Sequence, residues 1–206
     1  MIYPWHRASR FDSIQRQALK AWEEAIIKGE IAPGLSAVNE PPGQWASSAV
    51  VIGDFVGEDG VWEEDVNPTF SISYLLNNMR GVLIIEKIDL RTAILSPATK
   101  HNLDISVCAV LGSRVMGRTG NYVVAGHYST IYGRHLNRVR ELAVGDIITA
   151  DNGHERFDYQ ITEIFSVSPS DTWVMNDDAE KKLITLITCD YSTYPYDRLI
   201  VRGEIE

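Results

Sequence analysis

The stretch that decides the fold is KKLITLITC, residues 181–189. Its apolar and β-branched residues, uninterrupted by Gly or Pro, predict a strand in the centre of a sheet. The chain carries further short β-rich runs at 82–88, 92–95, 105–110, 121–126, 146–150, 157–167 and 198–205. Strands of this length, separated by turn residues and with a short helical candidate near 133–141, predict an all-β sandwich or barrel.

The first eighty residues differ from the rest of the chain in their pattern of apolar residues. Residues 12–28 carry apolar side chains at helical spacing, and Asp12 with Gln15 forms a candidate capping box at the start. We therefore expect an N-terminal appendage, residues 1–80, whose amphipathic helix packs on a β-barrel core of residues 81–206. The change in the pattern of apolar residues near residue 80 defines the boundary between the appendage and the core.

Composition excludes several classes of protein. The chain has 206 residues, a net charge of −9 and only 2 Cys, so no disulfide framework holds it together. Acidic residues outnumber basic ones 28 to 19, which disfavours binding to nucleic acid. The longest apolar runs fall far below the ~20 residues of a membrane helix, and residues 1–5 carry no signal-peptide pattern. Six carboxylates within 54–65 lack the spacing of a compact calcium loop and predict a solvated loop.

Cys189 is the most informative residue, because it ends the strand of residues 181–189. A thiol on a strand is usually a small core residue, and a reactive one needs a cation or a general base nearby. His127 can be that base, since it ends an apolar run and follows Gly126, which permits a close approach of the backbone. Arg198 can be the cation, since it begins the terminal strand after a connection of eight residues, 190–197.

The remaining candidates are weaker. We expect His135 and His154 to be exposed among charged and turn residues, while His6 and His101 lack a rigid support. Arg202 follows four residues, or ~13 Å, beyond Arg198 on the same strand, and we expect a surface residue there. Cys108 has no cation nearby in the sequence and is expected to be a core residue.

Three motifs in this order, Gly126-His127, Thr185-Leu-Ile-Thr-Cys189 and Arg198-Leu-Ile-Val201, resemble the sortase family of transpeptidases. The resemblance extends to the runs at 81–88, 120–127 and 142–148, and it covers residues 81–206. It implies an eight-stranded β-barrel in which histidine, cysteine and arginine meet at one end of a groove. Residues 1–80 match no motif of the family.

The resemblance also implies a reaction. Cys189 would be the nucleophile, His127 the general acid and base, and Arg198 the stabiliser of the oxyanion, with Thr188 and the backbone N–H of Asp190 as further oxyanion or substrate contacts. The enzyme would cut a C-terminal sorting signal of the Leu-Pro-x-Thr-Gly type and transfer the acyl group to a cell-wall amine. No metal or other cofactor is implied.

Family membership implies a place as well as a reaction. Sortases resembling this one are tethered to the outer face of a Gram-positive cell membrane, so we expect an ectodomain whose anchor is absent from this chain. The expected partners are the sorting-signal peptide and a cell-wall precursor amine; no nucleic acid is expected.

The branch of the family stays open. No Asp-Pro-aromatic lid of the pilin-polymerising type is present, and residues 67–70 are only a faint echo of one. The helical candidate at 133–141 resembles the housekeeping and sporulation-associated branches, whereas helix 12–28 resembles the haem-protein-anchoring branch. Two other hypotheses remain: a cysteine peptidase that releases its product by hydrolysis, and a catalytically silent barrel that binds a peptide or a cell-wall component.

Overall fold

The computed structural model describes residues 4–29, 72–129, 131–192 and 194–206, with side chains from residue 13 onward. The acidic segment 54–65 and the run at 67–70 lie outside the described residues, as does most of the predicted appendage.

Eight strands form a closed barrel in the order β1-β2-β3-β4-β7-β8-β6-β5. The strands are β1 (Met79–Ile85), β2 (Leu90–Leu95), β3 (Val107–Ala109), β4 (Gly120–Ala125), β5 (Ile147–Asp151), β6 (Arg156–Val167), β7 (Lys182–Asp190) and β8 (Asp197–Ile205). The pairs β2–β3 and β4–β7 are parallel and the other pairs are antiparallel. The prediction of a mainly β, eight-stranded barrel is confirmed.

Among the described residues, the helices are few and mostly short. The α-helices are α1 (Pro4–Ile27), α2 (Ile72–Asn78) and α3 (Lys100–Ile105), and 3-10 turns occupy Glu86–Ile88, Val139–Glu141 and Thr172–Met175. Helix α1 begins at Pro4, so Asp12 lies inside it, and the predicted start at a capping box is wrong. In the described ranges, no helix combines the length and the apolar character needed to cross a membrane.

The helix predicted over 133–141 is also wrong, because only the turn Val139–Glu141 forms there. The backbone explains the difference: Gly133 has φ +77° and His135 has φ +51°. Left-handed residues interrupt the repeating hydrogen bonds of an α-helix, so the segment folds as a series of turns.

Successive side chains of β7 point alternately into the barrel and outward, so they belong to two different apolar clusters. Ile184 and Leu186 pack in the barrel interior with Val201 of β8. Ile187 packs in a second cluster on the outside of the barrel with Ile200 of β8. Because successive strand residues face opposite sides, Cys189 shares the outer face with Ile187.

Helix α1 docks on the barrel through apolar and polar contacts. Trp22 and Ala18 are buried with residues of β1 and β2. Gln15 Nε2 donates to Ile105 O at 2.7 Å and to Ser106 Oγ at 3.0 Å, and Thr92 Oγ1 donates to Gln15 Oε1 at 2.6 Å. The side-chain amide of Gln15 therefore completes a hydrogen-bonded group of polar side chains between the helix and the barrel. The division into an appendage of residues 1–80 and a core of residues 81–206 stays a prediction.

We expect Gln15→Ala to lower the free energy of unfolding by about 1–3 kcal/mol, because it leaves buried partners without their hydrogen bonds. Gln17→Ala is the matched control, since Gln17 is exposed and its amide donates to Ser13 Oγ one turn away. Urea denaturation of the three proteins measures the difference. Equal stabilities for the two variants would contradict a docking role for Gln15.

Candidate active site

Cys189 and Arg198 are direct partners across two strands. They pair in the antiparallel register of β7 and β8, in line with Ile187↔Ile200 further along. Both residues lie on the outer face of the barrel, yet only 5% of Cys189 and 1% of Arg198 is exposed. The thiol and the guanidinium are therefore held on one face of the sheet and screened from water.

His127 reaches the same end of the sheet from the other side of β7. Strand β4 runs parallel to β7 with Ala125 opposite Ile187, and Gly126 N–H donates to Ile187 O at 3.0 Å. Continued for two residues, this register brings His127 level with Cys189. The three residues that the motifs singled out thus come from three neighbouring strands, although 71 residues separate His127 from Arg198 in sequence.

Gly126 makes this close approach possible. A Cβ added there would lie 2.9 Å from Val107 Cγ1 and 3.0 Å from the Leu136 side chain. The backbone of His127 is then fixed by Leu136 N–H, which donates to His127 O at 3.2 Å. A bulkier residue at position 126 would push the chain away from this contact and move the imidazole.

Two further residues surround the imidazole of His127. Asp104, at the end of α3, places Oδ1 3.6 Å from His127 Nε2. The His135 ring meets the His127 ring edge to face, with centroids 6.1 Å apart. At 3.6 Å, Asp104 Oδ1 and His127 Nε2 are within ion-pair distance but too far apart for a hydrogen bond. Sequence reasoning missed Asp104, because it lies 23 residues before His127 and only the fold brings the two together.

His135 is buried, which corrects the expectation that it would be exposed. Its φ of +51° turns the ring inward beside His127. Burial lowers the pKa of His135 to about 3, with smaller contributions from Arg134 and His127. The second imidazole of the site is therefore neutral at physiological pH.

Burial and charge act on the Cys189 thiol in opposite directions. Burial raises the pKa of Cys189 above its ordinary value, and the neighbouring Arg198 partly offsets that rise. The Arg198 guanidinium is oriented by its own turn, since Nη1 donates to Tyr196 O at 3.1 Å and to Asp197 O at 3.2 Å. The resting site thus holds a neutral thiol beside a fixed positive charge.

The two other predicted contacts are close to the thiol. Thr188 is buried and its Oγ1 makes no hydrogen bond within the described residues. The Asp190 carboxylate is buried and is bound by Arg140, Ser166 Oγ and Ser192 Oγ. Asp190 thereby ties the first residues after β7 to the rest of the site.

Space at the thiol is small. A cavity of about 10 Å³ is lined by Gly126, Ile187, Thr188, Cys189 and Arg198. That volume is about the size of one water. Beside the cavity, the Tyr191 ring contacts those of Tyr128 and Tyr196, with centroids 5.2 and 4.6 Å away.

The remaining candidates lie elsewhere. His101 is in α3 and its ring meets that of Tyr74, whereas His154 is exposed. Cys108 is fully buried in β3. Arg202 is not the free surface residue we expected: its side chain is 16% exposed and lies within a hydrogen-bonded group. Among the residues with described side chains, no three carboxylates, histidines or cysteines form a group able to hold a metal.

Comparison with known protein families decides the identity. The model of the sortase domain matches residues 83–206, which is more than half of the chain. The chain belongs to the sortase family. It is therefore a sortase-type transpeptidase, and the prediction of the family and of the enzyme class is confirmed. The family comprises transpeptidases that sort proteins to the cell wall.

Relatives and solved structures agree with this assignment. This sortase is 28% identical to sortase A of Bacillus anthracis over 152 residues, covering 74% of this chain and 71% of the relative. A sortase D5 transpeptidase of Clostridium perfringens superposes with a TM-score of 0.56 at 31% identity, covering 65% of this chain and 86% of that one. Sortase A of Listeria monocytogenes superposes with a TM-score of 0.58 at 25% identity, covering 63% and 88%.

We expect Arg198→Gln to raise the pKa of Cys189 further, because the substitution removes the charge that opposes the effect of burial. The rate of alkylation by iodoacetamide, measured against pH in the folded sortase, should then rise at a higher pH than in the wild type. Arg156→Gln, which alters a pair with Asp151 at the far end of β6 from Arg198, is the control. Coincident pH profiles for Arg198→Gln and the wild type would rule out this electrostatic coupling.

His135 predicts how stability depends on pH. Its pKa is about 3 in the folded sortase and near 6.5 in an unfolded chain, so only the unfolded state binds the proton between these values. The free energy of unfolding should therefore fall as the pH drops from about 6.5 to about 3, by at most ~1.4 kcal/mol per pH unit. His135→Asn, which tolerates the positive φ, should flatten this slope.

Chemical denaturation at several pH values between 4 and 7 measures the slope. His154→Asn is the control, because His154 is exposed. An unchanged slope in His135→Asn would mean that His135 is not held neutral by the fold.

Proposed function

We propose that this sortase cleaves a C-terminal sorting signal of the Leu-Pro-x-Thr-Gly type through a thioester on Cys189 and transfers the acyl group to a cell-wall amine. The observation that carries the proposal is the register of three strands: β8 pairs Arg198 with Cys189, and the β4–β7 ladder leads His127 to the same level. A nucleophile, a base and a fixed cation at one end of one sheet are the groups that acyl transfer requires.

In the first half of the reaction, His127 takes the Sγ proton of Cys189 and the thiolate attacks the carbonyl carbon of the threonine. A neutral resting thiol, as its raised pKa implies, makes this proton transfer necessary. Arg198 stabilises the oxyanion of the tetrahedral intermediate, since a guanidinium stays charged throughout. The C–N bond then breaks, and His127 returns the proton to the departing amine.

In the second half, an amine of a cell-wall precursor attacks the thioester carbonyl. His127 accepts a proton from the attacking nitrogen, the C–S bond breaks, and Cys189 recovers its proton as the new amide forms. Asp104, whose Oδ1 lies 3.6 Å from His127 Nε2, keeps a carboxyl group beside the imidazole in both halves.

Thr188 and Asp190 complete the proposed site as oxyanion or substrate contacts. Thr188 lines the cavity at Sγ, and Asp190 supplies a backbone N–H next to the nucleophile. We place this sortase at the outer face of a Gram-positive cell membrane, where sorting signals and cell-wall precursors meet. No cofactor takes part in the proposed reaction.

The test is mass spectrometry of the sortase mixed with a library of Leu-Pro-x-Thr-Gly peptides, with and without a glycine or diaminopimelate-type amine. We expect a thioester on the wild-type protein and amine-dependent ligation, and we expect both to vanish in Cys189→Ala. Arg156→Gln should ligate at the wild-type rate, because Arg156 begins β6, eleven residues from Val167, which pairs with Arg198.

The other outcomes separate the competing hypotheses. Cleavage that ignores every amine and releases only the acid would identify a cysteine peptidase. Neither thioester nor cleavage for any peptide would overturn the proposal and favour a catalytically silent barrel.

A further inference from the structure

The connection between β6 and β7, residues 168–181, lies across the outer face that leads to Cys189. The side chain of Val174, in the turn Thr172–Met175, is fully buried and packs with Ile187 and Ile200. Ile187 lies two residues before Cys189 on β7, and Ile200 lies two residues after Arg198 on β8. The position of this connection therefore determines the shape of the apolar surface beside the nucleophile.

Side chains from two barrel strands bind the backbone of the connection. Asn121 of β4 donates from Nδ2 to Val174 O and to Asn176 O, each at 3.1 Å. Arg202 of β8 donates from Nη2 to Val174 O at 3.0 Å. Asp177 Oδ1 also accepts the backbone N–H of Asn121 at 2.8 Å. Residues of the barrel thus hold the connection at three positions, Val174, Asn176 and Asp177.

Thr185 of β7 links the two clamping side chains to each other. Arg202 Nε donates to Thr185 Oγ1 at 3.4 Å, and Thr185 Oγ1 donates to Asn121 Oδ1 at 2.8 Å. Donors and acceptors follow in one direction, from guanidinium to hydroxyl to amide to backbone carbonyl. Thr185 is fully buried and 1% of Asn121 is exposed, so water competes little for these bonds.

Arg202 is itself held from its other side. Its Nη1 lies 3.2 Å from Glu163 Oε2. Its guanidinium carbon lies 5.7 Å from the ring centroid of Phe165 and 6.0 Å from that of Trp173. The two rings stack 5.7 Å apart, nearly parallel at 5°. Because Trp173 belongs to the connection, Arg202 fixes both the backbone and an aromatic ring of the same segment.

We propose that Arg202, acting with Thr185 and Asn121, is a positioning residue that clamps the connection 168–181 and thereby sets the access of the sorting peptide to Cys189. The register shows that Arg202 acts at a distance, because it pairs with Thr185 and not with Cys189. Four residues separate the two levels, about 13 Å along the strand. The kinetic part of this inference rests on the proposed function, whereas the structural part does not.

The first measurement is hydrogen exchange of the full chain, which needs no activity. Arg202→Met keeps the alkyl stem and removes every donor. The amides of Thr172 and Asn176, which donate to Ser170 O and Trp173 O, report on the connection. We expect them to exchange about tenfold faster in Arg202→Met, since several hydrogen bonds are lost together. Arg156→Met, which removes an exposed arginine paired with Asp151 at the start of β6, is the matched control.

The second measurement is steady-state kinetics with the best peptide of the library. A looser connection should raise KM by about fivefold or more with little change in kcat, because Arg202 touches no reacting atom. Arg202→Lys should fall between wild type and Arg202→Met in both measurements, since one ammonium keeps the charge but cannot reach all the acceptors. If Arg202→Met does not fold, the lysine variant is read by the same criteria.

Each outcome decides the inference. Exchange at Thr172 and Asn176 within about twofold of wild type would overturn the clamp, whatever the kinetics. Faster exchange with an unchanged KM would overturn its effect on peptide access. If the wild type cleaves no peptide, the proposed function fails, and hydrogen exchange alone decides whether Arg202 clamps the connection.

Discussion

The rest of the site depends on the place of β7 between β4 and β8. One neighbour is parallel and comes from earlier in the chain, and the other is antiparallel and follows a short connection. A parallel ladder brings the ends of both strands to the same edge of the sheet, whereas an antiparallel ladder brings the start of the second strand there. His127 therefore lies just after the end of β4, and Cys189 lies near the end of β7. Arg198 lies near the start of β8, at the same edge of the sheet. A one-residue slip in either ladder would send a functional side chain to the opposite face.

Burial gives the site its chemistry and also limits it. A fully screened guanidinium interacts strongly with charge that develops nearby, which suits an oxyanion. The same screening raises the pKa of the Cys189 thiol, so that Arg198 offsets only part of the cost of ionising it. A neutral thiol that is 5% exposed, in a cavity of about 10 Å³, is shielded from chance reaction at rest. Protection at rest and reactivity in the complex follow from one feature, the low exposure of the nucleophile.

Two groups of hydrogen-bonded polar side chains connect the elements around the site. Asp190 connects Arg140, Ser166 and Ser192 on the side of the β7–β8 turn. Asn121, Thr185 and Arg202 hold the β6–β7 connection on the other side. Buried hydrogen bonds of this kind specify one geometry, because a donor that loses its partner is costly inside a protein. The apolar clusters supply the bulk of the packing, and these chains orient the segments around Cys189.

The sequence by itself determined the strands and the order of Gly126-His127, Cys189 and Arg198, because hydrophobic runs and short motifs are local features of a chain. The strand pattern left a sandwich or a barrel open, and the resemblance to sortases indicated the barrel. The sequence also predicted the amphipathic character of α1, though not its start. Tertiary structure alone decided that His135 is buried, that Asp104 meets His127, that the segment 133–141 forms turns and that Arg202 joins a buried polar chain. Each of these depends on partners distant in sequence or on a left-handed backbone that propensity does not predict. Residue type and spacing predict what a segment can form, but the exposure and charge of a side chain depend on what packs against it.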